Sequence, residues 1–366
     1  MTLLGTTLLD RIRTFSPEIR EAGPRIDADG AVPAEIIDRL RELGVFRLAV
    51  PAGLGGTEAE PRQQVEIFEE LGRADGSVGW CAMIGAVTGI ALAWIPSGTA
   101  AAMLGDPRFL IAGVAAPMGR ATPDGDGFRL TGRWSFASAG RHASWLVAGA
   151  LTPAGVRMFI LGADQVTIHD TWHTAGLKGT GSHDFTVDDV LVPAERVFDL
   201  GRPPVAPGPL YGYASTVLLS LGLAAVALGI ARAAIEDFTE LAQAKRNPAS
   251  GTAIAAKSSV RAAVAEATAL HRSSLTYLLD ELATPGTDDL RRAGQRLAIV
   301  TAGRNAARAV DLLYHAAGGS AVYLTSPLQR HFRDVHTATQ HAMLSGDVVE
   351  TAGAVLLGQD VDTRRL

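Results

Sequence analysis

The sequence has a single cysteine, Cys81, so it cannot form a disulfide framework within the chain or a multi-cysteine metal site. It also lacks a His-Glu-x-x-His motif and any dense cluster of carboxylates. His336 and His341 are five residues apart, more than a quarter turn off one helical face, so they do not form a two-histidine metal pair. We therefore expect no metal cofactor.

Charge is also sparse. Charged residues make up 19% of the 366 residues and hydrophobic residues 47%, a composition typical of a globular chain with room for two or three domains. The 33 Lys and Arg against 38 Asp and Glu give a net charge of -5, and no run of Lys and Arg offers a track for a phosphate backbone. A nucleic-acid partner is not expected.

A signal-peptide core is missing from Met1–Arg20, which carries acidic and basic residues throughout. Two stretches, 76–105 and 203–231, carry no charge and raise the question of membrane spans. Both are rich in small residues, and Pro96 interrupts the first, so we interpret them as core helices of a bundle. We expect a soluble, cytoplasmic protein with no membrane partner.

The chain divides into a helical part, a β part and a second helical part. Helical periodicity runs over Leu8–Val45, with a loop predicted around Gly23–Val32, and further helices are predicted at Pro61–Gly72, Ser77–Ala93 and Thr99–Met103. Strand patterns follow at Phe128–Trp134, Trp145–Ala150, Arg157–Leu161 and Phe185–Val192, with a turn at Asp124–Gly127. Four long helical segments come last: Ala214–Ala242, Gly251–Glu281, Asp288–Ala317 and Ser326–Leu357.

These patterns predict a mostly α protein with a central β domain. The expected domains are an N-terminal helical domain at 1–109, a middle β-barrel-like domain at 110–202 and a C-terminal four-helix bundle at 203–366. The Gly-rich loop Gly53–Gly56 has neither a clear strand before it nor a clear helix after it, so we interpret it as a turn rather than a phosphate loop.

In this order and spacing, several short motifs resemble the acyl-CoA dehydrogenase fold over nearly the whole chain. They are Glu42-Leu-Gly-Val-Phe, Pro51-Ala-Gly-Leu-Gly-Gly, Asp75-Gly-Ser-Val-Gly-Trp, Gly132-Arg-Trp-Ser-Phe-Ala-Ser, Val190-Leu-Val-Pro, Ala317-Gly-Gly-Ser and Arg333-Asp. Details of Trp134–Gly140, Gly176–Asp184 and Ser326–Gln340 with His341 resemble the branch of flavin-dependent monooxygenases, the oxygenase components of two-component hydroxylases. Where those hydroxylases usually have Ser-Gly, this chain has Ser138-Ala139.

The dehydrogenases of this family use a Glu of the last helix as the base that removes a proton next to the thioester carbonyl. By resemblance that place is Ala342 here, and no acidic residue occurs from Val335 to Gly346. Some relatives carry the Glu early in the first bundle helix, but Ser215–Leu223 has no acid either. The sequence therefore disfavours dehydrogenation of an acyl-CoA.

His341 is the main catalytic candidate. In the hydroxylases that the chain resembles, reduced flavin and O2 give a C4a-hydroperoxide, and an imidazole near the substrate takes the phenol proton. An ordinary histidine pKa of about 6.5 suits that role near neutrality. The spacing predicts Asp334, Thr337 and His341 on nearly one helical face. The alternative is a structural bundle histidine; for Arg330, Arg333 and Asp334, we expect ion pairs.

The resemblance also implies a flavin cradle around Ser138. Its hydroxyl, or the backbone of Ala137 and Ser138, is expected beside the N5 and O4 edge of the flavin. Trp134 and Phe136 are expected to cover the isoalloxazine ring and exclude water, which otherwise promotes uncoupling. Ordinary strand packing is the alternative for Trp134.

Further flavin contacts are expected from two loops. Thr180 and Ser182 offer donors to the flavin or its ribityl chain, or serve only as turn residues. Arg246 is expected to bind the flavin phosphate, with Gly318, Gly319 and Ser320 as further donors, because Arg binds phosphate bidentately and small residues allow close approach. In the family such residues reach across a subunit boundary, so the resemblance implies a homotetramer; a plain surface role for Arg246 stays open.

The expected function is a monooxygenase that takes FMNH2 or FADH2 from a separate flavin reductase, uses O2 as co-substrate, and hydroxylates a small aromatic or natural-product substrate. We expect its substrate pocket between Trp80–Thr88 and the bundle. The alternatives are a flavin-dependent acyl-CoA dehydrogenase, an N-oxygenase of an amine or amino sugar in the same fold, and a non-catalytic flavin-binding or assembly protein.

Overall fold

The first helix begins at a capping box. The computed structural model describes residues 7–248, 250–364 and 366, so the start of Met1–Arg20, where no signal peptide is expected, lies outside the described residues. Thr7 accepts from the backbone N–H of Asp10 at 3.2 Å, and Asp10 accepts from that of Thr7 at 3.2 Å. The N-terminal helices are α1 Leu8–Asp29, α2 Ala34–Glu42, α3 Pro61–Ala74, α4 Gly76–Val87 and α5 Ser97–Leu104.

The loop predicted around Gly23–Val32 is wrong over Gly23–Asp29, because α1 continues through Gly23 and Pro24 to Asp29; only Gly30, with φ 64°, to Val32 belongs to the connection between α1 and α2. Gly23 is not a helix breaker here. A Cβ at this position would lie 2.6 Å from the guanidinium of Arg330, so the glycine leaves room for that side chain against α1.

The middle of the chain forms a mixed sheet. In the described residues its strands run in the order β5-β6-β2-β1-β3-β4-β7, with β1 and β3 parallel and the other pairs antiparallel. Their bounds are β1 Ile111–Asp124, β2 Gly127–Ala137, β3 Trp145–Thr152, β4 Gly155–Gly162, β5 Thr167–His169, β6 His183–Pro193 and β7 Val197–Phe198. The four predicted strands and the turn at 124–127 are confirmed; β1, β5 and β7 were not predicted individually.

The C-terminal helices form the bundle. They are α6 Ser215–Leu218, α7 Leu221–Ala244, α8 Ser258–Glu281, α9 Asp289–Ala317, α10 Pro327–Ala338 and α11 Gly346–Leu356. Helix α3 packs closely on α7, because Gly229 brings its backbone against the carbonyl of Glu69: a Cβ there would lie 2.2 Å from that oxygen. The N-terminal helices and the bundle therefore share one core.

The single helix predicted over Ser326–Leu357 is wrong. Helix α10 ends at Ala338, and a short 3-10 helix at Ala342–Leu344 separates it from α11. The imidazole Nδ1 of His341 accepts from the backbone N–H of Met343 at 3.2 Å, so this side chain caps the next segment instead of continuing α10. Asp334, Thr337 and His341 consequently do not share one helical face.

Among the residues that the structure describes, two segments are long and apolar enough to cross a membrane, Gly76–Trp94 and Ser215–Ala244. In their most apolar windows 89% and 83% of the residues are buried inside the protein. This burial supports their interpretation as core helices. The division at 109/110 and 202/203 into independent units stays a prediction.

Candidate active site

Ser138 lies where the ladder between β2 and β6 loses its regular register. The register shifts between Trp134 and Ala137, and Phe136 and Ala139 take positive φ angles of 72° and 57°. Such angles are uncommon for residues with a Cβ and mark a turn that the surroundings hold in place. The backbone N–H of Ala139 donates to the carbonyl of Thr180 at 3.0 Å, which ties this turn to the loop before β6.

A chain of buried hydroxyls runs through this contact. The indole N–H of Trp80 donates to Ser138 Oγ at 3.0 Å, and the hydroxyls of Ser138 and Ser182 are hydrogen-bonded at 2.7 Å. The hydroxyls of Ser182 and Thr180 are also bonded at 2.7 Å, and Thr180 Oγ1 donates to the carbonyl of Leu177 at 2.8 Å. Thr180 and Ser182 are therefore committed to each other and to Ser138.

The loop that carries this chain is anchored by a buried carboxyl group. Leu177, at φ 48°, donates its backbone N–H to Asp334 Oδ1 at 2.6 Å. Burial, with the nearby carboxyl of Asp75, raises the pKa of Asp334 to about 7, against the opposing effect of Arg330. Sequence reasoning assigned Asp334 to ion pairs and missed this bond, which joins residues 157 positions apart.

His341 lies beside Trp80, the residue that donates to the hydroxyl chain. The centroids of the indole and imidazole rings are 5.9 Å apart. Because Nδ1 accepts from the N–H of Met343, the neutral ring carries its proton on Nε2. Burial, assisted by the nearby Arg296 cation, lowers the pKa of His341 to about 4. The expectation of an ordinary pKa is therefore wrong: the imidazole is neutral near pH 7 and is a weak base.

Trp134 and Phe136 are separated by the irregular turn. Trp134 is 0% exposed, stacks on Phe185 with centroids 5.0 Å apart, and donates its N–H to the carbonyl of Gly149 at 2.7 Å. Its expected role as a cover for the flavin is corrected, since its ring fills the core of the sheet. Phe136 is 70% exposed and lies edge-on to Trp172, so its ring is available to a planar ligand. Ala137 is buried.

The structure does not bring Arg246 or the segment Gly318–Ser320 to this place. Lys245 Nζ donates to the carbonyl of Ala317 at 3.2 Å, so these two segments meet where α7 and α9 end. Arg246 itself is exposed and pairs with Ala253 in an isolated β-bridge.

Helices α7 and α9 run parallel, because Arg296 near the start of α9 contacts Ser220 just before α7. Arg296 also donates to the carbonyl of Met343, two residues after His341. The 24 residues of α7 span about 36 Å. The Lys245–Ala317 contact and His341 therefore lie towards opposite ends of the bundle within one chain.

The remaining polar candidates have structural partners. Arg333 forms an ion pair with Asp27 at 2.9 Å, which confirms the interhelical pairing expected for it. His336 Nε2 is 2.8 Å from Asp311. Across the described parts of the chain, no group of three His, Cys, Asp or Glu side chains is arranged to hold a metal ion.

Comparison with known proteins agrees with this fold. Residues 6–101 match the family described as acyl-CoA dehydrogenase, N-terminal domain, and residues 221–346 match acyl-CoA dehydrogenase, C-terminal domain. The chain also superposes on the crystal structure of 3-HSA hydroxylase from Rhodococcus sp. RHA1 with a TM-score of 0.90 at 24% identity, covering 99% of each chain.

Two curated relatives narrow the class. The chain is 32% identical to the indole-3-acetate monooxygenase of Acinetobacter baumannii, over 93% of this chain and 92% of that one. It is 29% identical to the oxygenase component of the FADH2-dependent resorcinol hydroxylase of Rhizobium sp., over 96% of this chain and 94% of the relative. The chain belongs to the flavin-dependent monooxygenases of the acyl-CoA dehydrogenase fold.

Proposed function

We propose that this chain is the oxygenase component of a two-component system that hydroxylates a small aromatic or natural-product substrate through a flavin C4a-hydroperoxide. The observation that carries the proposal is the buried hydroxyl chain ending at Ser138, next to the exposed ring of Phe136 and, through Trp80, to His341. One relative is named as the oxygenase component of an FADH2-dependent hydroxylase, which supports a reduced flavin that a separate reductase delivers. We propose FADH2 or FMNH2 as that flavin and O2 as its oxidant.

The residues around Ser138 fit a flavin ring. Ser138 Oγ accepts from Trp80 and shares one bond with Ser182, so one of its oxygen sites stays open in the described contacts. An exposed aromatic ring two residues away, held by a positive φ, offers a face for stacking. Bound there, reduced flavin supplies the activation of O2. Ser138 holds its N5 edge, and Phe136 shields the ring from water.

In this proposal His341 acts as a hydrogen-bond donor. Its Nδ1 is engaged by Met343, so the proton on Nε2 is the group that it can present to a substrate oxygen. A donor at that place binds a phenolic oxygen of the substrate and fixes the orientation of the ring that reacts. The lowered pKa of His341 speaks against the expected role as a proton acceptor.

The positions of Arg246, Gly318, Gly319 and Ser320 support a site shared between subunits. Arg246 follows the end of α7, whereas His341, beside Trp80, lies towards the start of that helix, so within one chain Arg246 lies away from the site around Ser138. We propose that these loops bind the phosphate of a flavin whose ring lies in another subunit of a homotetramer. Sedimentation and flavin titration of Arg246→Ala test this: weaker flavin binding by an intact tetramer is expected.

The acyl-CoA dehydrogenase alternative lacks its base. No acidic residue occurs from Val335 to Gly346. Of the two carboxyls that flank this stretch, that of Asp334 is buried and bonded to Leu177, and that of Asp347 is exposed in the first turn of α11. No observation favours the N-oxygenase or the non-catalytic alternative over hydroxylation. We also propose a soluble, cytoplasmic location, which the buried apolar helices support.

Stopped-flow absorbance tests the proposal. The purified chain is mixed under argon with FMNH2 or FADH2 and then with O2, and a transient flavin–oxygen adduct is expected before oxidised flavin appears. His341→Ala is expected to bind flavin normally and, because the substrate is no longer held in position, to lose product formation by about a hundredfold. Tight FAD that bleaches anaerobically with an acyl-CoA, or no adduct at all, contradicts the proposal.

His336→Ala is the matched control. This residue is also a histidine of the same region, but its ring is paired with Asp311 at 2.8 Å and its side chain is 40% exposed. Product formation by His336→Ala is expected to equal that of the wild type. Unchanged coupled turnover in His341→Ala removes His341 from the mechanism.

A further inference from the structure

The hydroxyl chain has a direction, because each hydroxyl has only one hydrogen to donate. Thr180 Oγ1 lies 2.8 Å from the carbonyl of Leu177, and a carbonyl can only accept. If Thr180 donates its hydrogen there, the contact between Ser182 and Thr180 requires Ser182 to be the donor. The contact between Ser138 and Ser182 then requires Ser138 to donate as well.

In this direction the hydrogen of Ser138 points into the protein. Its oxygen accepts from the indole N–H of Trp80 and donates to Ser182, so what remains for a ligand is a lone pair. Indole nitrogen has no acceptor site, so Trp80 cannot reverse its own bond. Ser138 therefore meets the ligand as a hydrogen-bond acceptor.

Donation in the opposite direction, from Thr180 towards Ser138, is possible only if one hydrogen bond is lost. If Thr180 donates to Ser182, and Ser182 to Ser138, then Ser138 donates outward and the bond from Thr180 Oγ1 to Leu177 is lost. The carbonyl of Leu177 keeps its two other donors, the indole N–H of Trp172 at 3.0 Å and the backbone N–H of Thr180 at 3.1 Å. The inward direction thus has one more hydrogen bond than the outward one.

We propose that Thr180 and Ser182 are positioning residues that make Ser138 an acceptor and thereby select reduced flavin. Reduced flavin carries a hydrogen on N5 and can donate to Ser138, whereas oxidised flavin has a lone pair on N5 and needs a donor. This inference rests on the proposed flavin site at Ser138. One hydrogen bond of ordinary strength predicts a preference for the reduced form of about fivefold from this source.

The test compares the dissociation constants of oxidised and reduced FMN and FAD, measured by equilibrium dialysis under argon. In Ser182→Ala the hydrogen of Ser138 is released from its acceptor, so the ratio of the oxidised to the reduced constant is expected to fall about fivefold. In Thr180→Val the hydroxyl of Ser182 can donate only to Ser138, which turns Ser138 outward. The ratio is expected to fall further than in Ser182→Ala.

Two control variants separate the effect of hydrogen-bond direction from an effect of the substitution on the fold. Thr180→Ser keeps the hydroxyl and is expected to keep the wild-type ratio. Ser144→Ala removes a hydroxyl directly before β3 that contacts only the backbone of Leu110 in the described residues, and its ratio of dissociation constants is also expected to stay unchanged.

The outcomes separate this inference from the proposed function. A wild type that binds neither redox form overturns the flavin site itself. A wild type that binds flavin, with the same ratio in Ser182→Ala and Thr180→Val, keeps the proposed function and overturns the directional role of the hydroxyl chain. An equal loss of affinity for both forms, with an unchanged ratio, assigns the two residues a purely structural role.

Discussion

Trp80 donates its indole N–H to the hydroxyl oxygen of Ser138, 3.0 Å away, across 58 positions of the sequence. The bond joins helix α4 to the turn after β2, and the same indole ring lies beside the imidazole of His341. One side chain therefore links the two catalytic candidates.

Trp80→Phe is expected to uncouple the reaction. The phenyl ring keeps an aromatic group beside His341, but the hydroxyl oxygen of Ser138 loses the N–H that fixes its position. We expect less hydroxylated product per O2 consumed, with more hydrogen peroxide, and a loss of about 1 kcal/mol in the free energy of unfolding. Product, O2 and peroxide are measured in the same reaction. Unaltered coupling together with the expected loss of stability shows that the bond serves only the fold.

The lowered pKa of His341 has a consequence for stability. Its folded pKa of about 4 lies below the unfolded value of about 6.5, so the unfolded chain binds more protons between these values. The free energy of unfolding therefore keeps its full value above pH 6.5, where the ring is neutral in both states, and falls as the pH falls towards 4. The loss amounts to at most about 3 kcal/mol.

His341→Asn removes this titration and keeps an acceptor that can cap the following segment. Urea unfolding of both proteins at pH 4.5 and pH 7.5 measures the effect. We expect the wild type to lose stability relative to the variant at the lower pH. A constant difference between the two proteins contradicts the neutral, buried imidazole.

The titration of Asp334 is expected to make stability depend on pH in the opposite sense. Its folded pKa of about 7 lies above the unfolded value, so the folded chain binds more protons between about pH 4 and pH 7. The wild type is therefore expected to lose stability as the pH rises through this window. In Asp334→Asn the amide oxygen still accepts from Leu177 and the titration is gone.

The difference in unfolding free energy between Asp334→Asn and the wild type should grow in favour of the variant from pH 4.5 to pH 7.5. Asp334→Ala is the informative comparison, since it removes the titration and the bond to Leu177 together. It is expected to be less stable than Asp334→Asn at every pH by about 1 to 3 kcal/mol. Equal pH profiles of wild type and Asp334→Asn would show that Asp334 is ionised throughout.

Phe136 provides a test of the ring-binding surface. Phe136→Gly removes the exposed ring, so we expect flavin affinity to fall about tenfold. Because glycine readily adopts the φ of 72°, we expect no decrease in the free energy of unfolding. Leu151→Ala, an exposed apolar residue of β3, is the control and should leave flavin affinity unchanged. Wild-type affinity in Phe136→Gly would exclude this ring from the site.

The sequence predicts the elements of this fold better than their interruptions. Long helices and strands follow from hydrophobic periodicity, whereas the family was suggested by the resemblance of short motifs in their order and spacing. Gly23 was interpreted as a loop residue, but a glycine is needed there because the side chain of Arg330 packs against it. Arg330 is 307 positions away in the sequence, so no local pattern reveals this contact. The end of α10 at Ala338 was missed because Thr337–Gln340 contains neither Gly nor Pro.

The sequence also predicts the residues of the candidate site better than their arrangement. The resemblance implied that both Trp134 and Phe136 lie at the flavin, which agrees with strand alternation, since alternation puts the two residues on one face. The positive φ of Phe136 breaks this alternation and sends one ring into the core and the other to the surface. Ser138, Thr180 and Ser182 were recognised by type, but their connection through Trp80 depends on tertiary contacts that spacing does not reveal.

The break between α10 and α11 also affects how the site can vary. Inserting one residue into a continuous helix rotates everything after it by about 100° and misaligns its packed face. Here His341 stands on a short connection, so a residue gained or lost between Thr339 and Ser345 changes which side chain points towards Trp80 without turning either neighbouring helix. The group opposite the hydroxyl chain can thus be exchanged while the bundle keeps its register.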